Sequence, residues 1–121
     1  MENNTQVGIL RIFISSTDQF RQTPLYEFIV LLAKKEKIAG ATVLKGMLGF
    51  GASSVIHSYK FWEVSDKVPT VIELIDEEDK LLSFYERIRP QLETMHYGCL
   101  VTFDKTSVLL YKSGEKRMFD L

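Results

Sequence analysis

A single α+β domain with the order strand, helix, strand, strand, helix, strand is predicted by three observations. Apolar residues alternate with a period of two over "GILRIFIS" (Gly8 to Ser15) and "TVIELID" (Thr70 to Asp76), as strands require. A stretch with helical spacing follows each of them. At 121 residues, 45% hydrophobic and 26% charged, the chain has the length and composition of one folded domain. This order is the split βαβ of a ferredoxin-like βαββαβ sandwich. The domain is expected over residues 8–111, with 1–7 a disordered N-terminus and 112–121 a polar C-terminal tail.

In the first strand only Arg11 interrupts two apolar faces, which places the strand centrally in its sheet. Thr23-Pro24 reads as N-cap and first helical position, because proline lacks a donor that would be unpaired there and the threonine hydroxyl accepts from the first turn. Leu25, Phe28, Ile29 and Leu32 continue one apolar face, Lys34, Lys35 and Lys37 suit the helix C-terminus, and Gly40 is the expected stop. "ATVLKGMLGFG" and "YKFWEVS" read as extended segments around a glycine-rich element. Asp76 is the expected cap of the second helix, ahead of Glu77, Glu78 and Asp79 in its first turn. Leu81, Tyr85, Ile88, Leu92 and Met95 form its apolar face, and Pro90 predicts a break or kink near Arg89. "GCLVTF" and "SVLLY" flank Asp104-Lys105-Thr106 as an extra C-terminal hairpin. Two helices cover one sheet face, while the other is also apolar and has no element left to cover it. A homo-oligomer is therefore expected.

Fifteen basic and sixteen acidic side chains give a formal charge of −1, so no whole-domain field draws in nucleic acid. Met1 to Gln6 lacks the basic and apolar regions of a signal peptide, and no apolar run reaches the ~18 residues of a membrane span. A cytoplasmic protein without direct membrane insertion is expected. Cys99 is the only cysteine, which excludes an intramolecular disulfide and a thiolate cluster, and its apolar surroundings predict a buried, inert thiol. His57 and His96 stand alone, with no H-x-x-x-H or H-x-H spacing for a metal. Ser53 and Ser54 lack the G-x-S-x-G elbow, and Asp18, Arg11 and Glu73 read as solvated or paired charges. No acid, base or nucleophile stands out, so the protein is not expected to be an enzyme.

The stretch "GMLGFGASSVIHS", Gly46 to Ser58, holds three of the seven glycines, Gly46, Gly49 and Gly51. Its G-x-x-G-x-G spacing is neither the dinucleotide fingerprint nor the phosphate loop. One reading is structural: the glycines let a strand bend or approach another backbone closely. The other is functional: successive N–H groups beside Gly49, Gly51, Ala52 and Ser53 form a nest for an anion such as phosphate, with Ser53, Ser54 and His57 as further donors. The two are compatible. Phe50, Phe61 and Trp62 suit either stacking on a base or a core or subunit interface.

The segments "LRIFI" (Leu10 to Ile14), "PLYEFIV" (Pro24 to Val30), "AGATVLKGMLGFGASSVIHS" (Ala39 to Ser58), "VPTVIELID" (Val68 to Asp76) and "GCLVTF" together closely resemble the bacterial and archaeal domain-of-unknown-function family 190, which belongs with the PII-like signalling proteins. The likeness runs from about Gly8 to Tyr111. It implies a homotrimer whose sheets face inward around a threefold axis. It also implies a long loop between the second and third strands that touches a target, with nucleotides or other small anions bound between subunits near its base. Gly46 to Tyr59 match that loop and base. On this implication Gly46, Gly49, Phe50, Gly51, Ala52, Ser53, Ser54 and His57 are ligand-binding, with Lys45 and Arg11 as phosphate partners. The implied effector is an adenine nucleotide, with no certain cofactor and no metal. Residues 50–59 would control a protein target, in PII-like systems often a membrane transporter.

The sequence departs from true PII proteins in two places. It lacks their late basic, glycine-rich phosphate motif, since "DKTSV" has one lysine and no glycine, and Tyr59 is not in a modification-loop motif. The alternatives are a CutA-like metal- or stress-associated trimer using His57, and a structural protein without a small-molecule ligand.

Overall fold

Alternation along the first strand sorts its side chains onto two unlike faces, and the fold is built on that difference. In the computed structural model, which describes residues 1–51, 57–58 and 67–114, β1 (Thr5–Ser15) buries Leu10, Ile12 and Ile14 on one face and leaves Ile9, Arg11 and Phe13 half-buried on the other. The chain continues through β2 (Gln19–Phe20), β3 (Thr23–Pro24), α1 (Leu25–Lys35), β4 (Gly40–Lys45), β5 (Leu48–Gly49) and β6 (His57–Ser58). It closes with β7 (Pro69–Asp76), α2 (Glu78–Glu93) and β8 (Leu100–Val108). The main sheet has the order β4-β7-β1-β8 and is antiparallel throughout. This is the ferredoxin-like arrangement expected from the sequence, with β2–β3 and β5–β6 added as short two-stranded ribbons.

Both helices pack on the Leu10, Ile12 and Ile14 face. Leu25, Ile29 and Ala33 of α1 and Leu81, Phe84, Ile88 and Leu92 of α2 join Ile72 and Leu74 of β7 in one core. Phe84 takes the central position that the apolar spacing had given to Tyr85, which is only half-buried. On the open face, register places Leu44, Val71, Phe13 and Leu100 in one row across the four strands. Leu44 and Leu100 are each 51% exposed there. In the next row Arg11 bridges β7 and β8, its Nε 2.8 Å from Glu73 and its Nη1 2.8 Å from Asp104. The hydrogen bond to Glu73, more than any other contact, holds the Arg11 guanidinium still more firmly protonated than usual.

Several local expectations are corrected by tertiary pairing. β8 runs unbroken from Leu100 to Val108, so the expected C-terminal hairpin at Asp104-Lys105-Thr106 does not form. The reason is that β1 starts at Thr5, and Thr5 to Gly8 pair with Val108 to Lys105, which keeps the strand extended through the would-be turn. Thr23 is not the N-cap of α1 and Pro24 is not its first helical residue: both pair with Gln19-Phe20 in the β2–β3 ribbon, which leaves Pro24, extended at ψ 131, in the N-cap position with no side chain to cap the helix. The Asp18 carbonyl accepts from Leu25 N at 2.8 Å instead. Gly40 is not the stop, since α1 ends at Lys35, Lys37 takes the left-handed φ of 63° and Gly40 opens β4. Pro90 does not end α2, which continues to Glu93. Pro90 lies in the last turn, where the Thr94 amide and hydroxyl both return to its carbonyl, at 3.1 and 2.7 Å.

Asp76, expected as the α2 cap, instead ends β7 and joins three segments. Its carboxylate accepts from the Glu77 amide at 2.7 Å and the Ala39 amide at 2.9 Å, with Lys80 Nζ at 3.3 Å. Asp76→Ala leaves those two amides without their acceptor and should cost about 1–3 kcal/mol in denaturant unfolding. Gly8 is required by packing: a Cβ there would stand 2.5 Å from the Phe103 ring. Gly8→Ala is expected to lose about 1–3 kcal/mol, part of it recovered by Phe103→Leu in the same chain. An additive double variant would contradict that contact.

Candidate functional site

A knot of hydrogen bonds where β1 ends fixes the surroundings of the glycine-rich stretch. The buried Asp18 accepts from Ser15 N at 2.9 Å through its carboxylate, and its own amide returns to the Ser15 carbonyl at 3.1 Å. Ser16 and Val68 exchange bonds, Ser16 N to the Val68 carbonyl at 2.9 Å and Val68 N to Ser16 Oγ at 3.0 Å. Val68 is thereby anchored, and with it the adjacent Lys67.

Beside this knot lies a cleft of about 210 Å³. Gly49, Phe50 and Gly51 form one side of it, Lys67 and Pro69 another, and Tyr97, Gly98 and Cys99, between α2 and β8, close it. Phe13, Val71 and Leu100 bring the apolar row of the open face to its floor. Lys67 Nζ sits 5.2 Å from the Tyr97 ring centroid, a cation–π contact. Among the described residues Lys67 has no ion-pair partner. Burial, and after it the charge of Asp18, pushes the Cys99 thiol pKa up, so Cys99 lines the cleft as a neutral group. Among the described residues the cleft thus presents one cation without an ion-pair partner, an aromatic ring and backbone close to glycine. That combination suits a small anion with a planar body.

The glycines have the structural reason of close approach at one position. Gly46 N donates to the Pro69 carbonyl at 2.6 Å, and a Cβ on Gly46 would meet the Pro69 ring at 2.9 Å. None of the described glycines has a positive φ, so neither Gly49 nor Gly51 takes the left-handed form of a nest. Among the described residues nothing lies within 4 Å of a Cβ added at Gly51.

Of the residues singled out by sequence, the cleft gathers Gly49, Phe50 and Gly51. Gly46 stands at its edge against Pro69. Lys45 lies on the edge strand β4 with its Nζ 5.3 Å from the Tyr26 ring centroid, outside the cleft lining. Arg11 is also elsewhere, tied to Glu73 and Asp104 on the open face. The His57 backbone pairs with Gly49 in the β5–β6 ribbon. Its side chain, and Ala52, Ser53, Ser54, Tyr59, Phe61 and Trp62, lie outside the described residues. Lys67 and Tyr97 escaped the sequence reading, although a lysine at a Val-Pro strand entry and an aromatic before Gly98-Cys99 were visible signals. Among the described residues no three His, Cys, Asp or Glu side chains group as metal ligands, and no helix is long and apolar enough to cross a membrane.

The family model DUF190, described as "Uncharacterized ACR", matches residues 7–108. A UPF0166 protein of Aquifex aeolicus is 34% identical over 101 residues, 84% of this chain and 91% of that one. A UPF0166 protein of Methanocaldococcus jannaschii is 33% identical over 84 residues, covering 69% of this chain and 73% of its own. Among solved structures, CPII from Thiomonas intermedia K12, a nitrogen regulatory PII-like protein bound to ADP, AMP and bicarbonate, superposes with a TM-score of 0.66 at 16% identity. That match covers 88% of this chain and 91% of CPII. With the sheet order and the two helices in place, the chain belongs to the DUF190 (UPF0166) family and has the PII-like fold.

Proposed function

We propose that the protein is a non-enzymatic PII-like regulator that binds a small anionic effector, an adenine nucleotide first among them, in the cleft beside Lys67. One observation carries this reading: the residues that lead into and out of the stretch between Gly51 and Lys67 line the same cleft. A ligand held there contacts both roots at once and biases the order of residues 50–59, which would then govern a protein partner. Such a bias needs only a different affinity for two loop states, about 1.4 kcal/mol for each tenfold change in their ratio. Tyr97 supplies a stacking surface for a base, and Lys67 a charge for a phosphate. The nucleotides bound to CPII, a protein of the same fold, support this choice of ligand.

In the same reading the protein is a homotrimer whose open sheet faces meet. The apolar row through Leu44, Val71, Phe13 and Leu100 is the surface to be covered, and covering it brings neighbouring subunits to the cleft floor that Phe13 and Leu100 share. The domain of residues 8–111, extended at its start by Thr5 to Val7 of β1, carries all of these groups.

Thermal unfolding with ADP, AMP, cyclic nucleotides and bicarbonate tests the assignment, with mass by light scattering alongside. ADP at one hundred times its Kd should stabilise each site by about 2.7 kcal/mol. The Cys99 thiol lines the cleft, so bound ADP should also slow its labelling by maleimide. Gly51→Val, whose Cβ has nothing within 4 Å among the described residues and which adds bulk to the cleft wall, should abolish both effects with the mass unchanged, and Lys67→Gln should weaken ADP about tenfold or more. Wild-type affinity in both variants would place the ligand elsewhere.

A further inference from the structure

On the other side of Tyr97 lies a second, larger hollow. A groove of about 510 Å³ runs between the β2–β3 ribbon and the segment that follows α2. Its size is that of a small-molecule site. Phe20, Leu25, Met95 and Tyr97 give it apolar and aromatic walls. Its polar side chains divide into two groups by what they already bind. The Asp18 carboxylate is held by the Ser15 amide, and the Thr94 hydroxyl donates to the Pro90 carbonyl. The Gln91 amide is assigned the orientation that satisfies both of its atoms, in which its nitrogen donates to the carbonyls of Arg87 and Ile88 at 3.0 and 2.9 Å. Thr17 Oγ1 lies 3.1 Å from Ser15 Oγ, and Gln19, Arg21 and His96 remain, none of which has an ion pair or a side-chain hydrogen bond among the described residues. Of these only Arg21 carries a fixed charge, and it is positive, while the buried Asp18 carboxylate is already turned to the Ser15 amide.

The chain spends backbone strain to hold that charge. Arg21 and Gln22 are the two central residues of the tight β2–β3 turn, at φ 52° and 68°, where glycine or asparagine is usual. The turn seats the Arg21 guanidinium 5.0 Å from the Phe20 ring centroid, and that ring is braced by Phe28 at 4.5 Å. His96 meets the Tyr97 ring edge-on at 5.1 Å from the opposite wall. A guanidinium and an imidazole thus border a groove floored by hydrocarbon.

We propose that this groove is a second ligand site, for a small aromatic carboxylate whose charge pairs with Arg21 and whose ring lies against Phe20, Met95 and Tyr97. A guanidinium offers a carboxylate two parallel N–H donors, which a neutral isostere cannot use. The site is separate from the nucleotide cleft and stands whether or not that cleft binds nucleotide, although Asp18 and Tyr97 border both.

The test is an amide chemical-shift titration of the intact protein with three probes: benzoate, benzamide and acetate. Benzoate should saturably shift residues 20–22 and 95–97, with benzamide (ring without charge) and acetate (charge without ring) at least tenfold weaker. Arg21→Gln should weaken benzoate tenfold or more while spectra of α1 and the sheet stay unchanged, and Lys67→Gln should leave it unaffected. Equal binding of benzamide, loss with Lys67→Gln rather than Arg21→Gln, or no shift at any soluble benzoate concentration would each overturn the proposal. Failure of ADP to bind would leave this result untouched.

Discussion

Every other placement in the fold follows from the pairing of β1 with β7 on one side and β8 on the other. Because β1 is paired from Thr5 to Phe13 with β8 and from Gly8 to Ser15 with β7, its alternation is imposed on both neighbours. A slip of one residue would turn Leu10, Ile12 and Ile14 away from the helices and Arg11 into the core. The same pairing delivers the two ends of the sheet to their tasks. At the Ser15 end it brings the Asp18 knot, Val68 and Leu100 together, and there the cleft forms.

Arg11 shows how a residue that looks like a ligand partner can serve the sheet instead. Exposed ion pairs of this kind contribute little by themselves. Their importance grows if the open face is covered, because a buried charge stripped of its partner is expensive. In the proposed assembly the Arg11, Glu73 and Asp104 cluster therefore penalises any docking that separates its members, while the neighbouring row of Leu44, Val71, Phe13 and Leu100 supplies the apolar area.

The architecture was legible in the sequence because period two and helical spacing are written in many residues at once. Gly8 to Ser15 and Thr70 to Asp76 declare strands regardless of any one position. Boundaries were less legible, since Asp104-Lys105-Thr106 and Thr23-Pro24 have the composition of a turn and a cap but are held extended by partners far away in the chain. The site was half legible. Gly49, Phe50 and Gly51 form one compact signal, whereas Lys67 and Tyr97 enter only through the fold, which brings together residues that no local pattern connects. Arg11 and Lys45 were singled out for charge alone, and charge does not say which face of a sheet a residue occupies.

The proposed regulation requires that an effector be held at the common root of both ends of the 52–66 stretch. Amide hydrogen exchange with and without ADP tests it most directly. Protection concentrated at Gly49 to Gly51, Lys67 and Tyr97 to Leu100 is the predicted result. Protection absent from these positions, or confined to the groove beside Arg21 and His96, would contradict it.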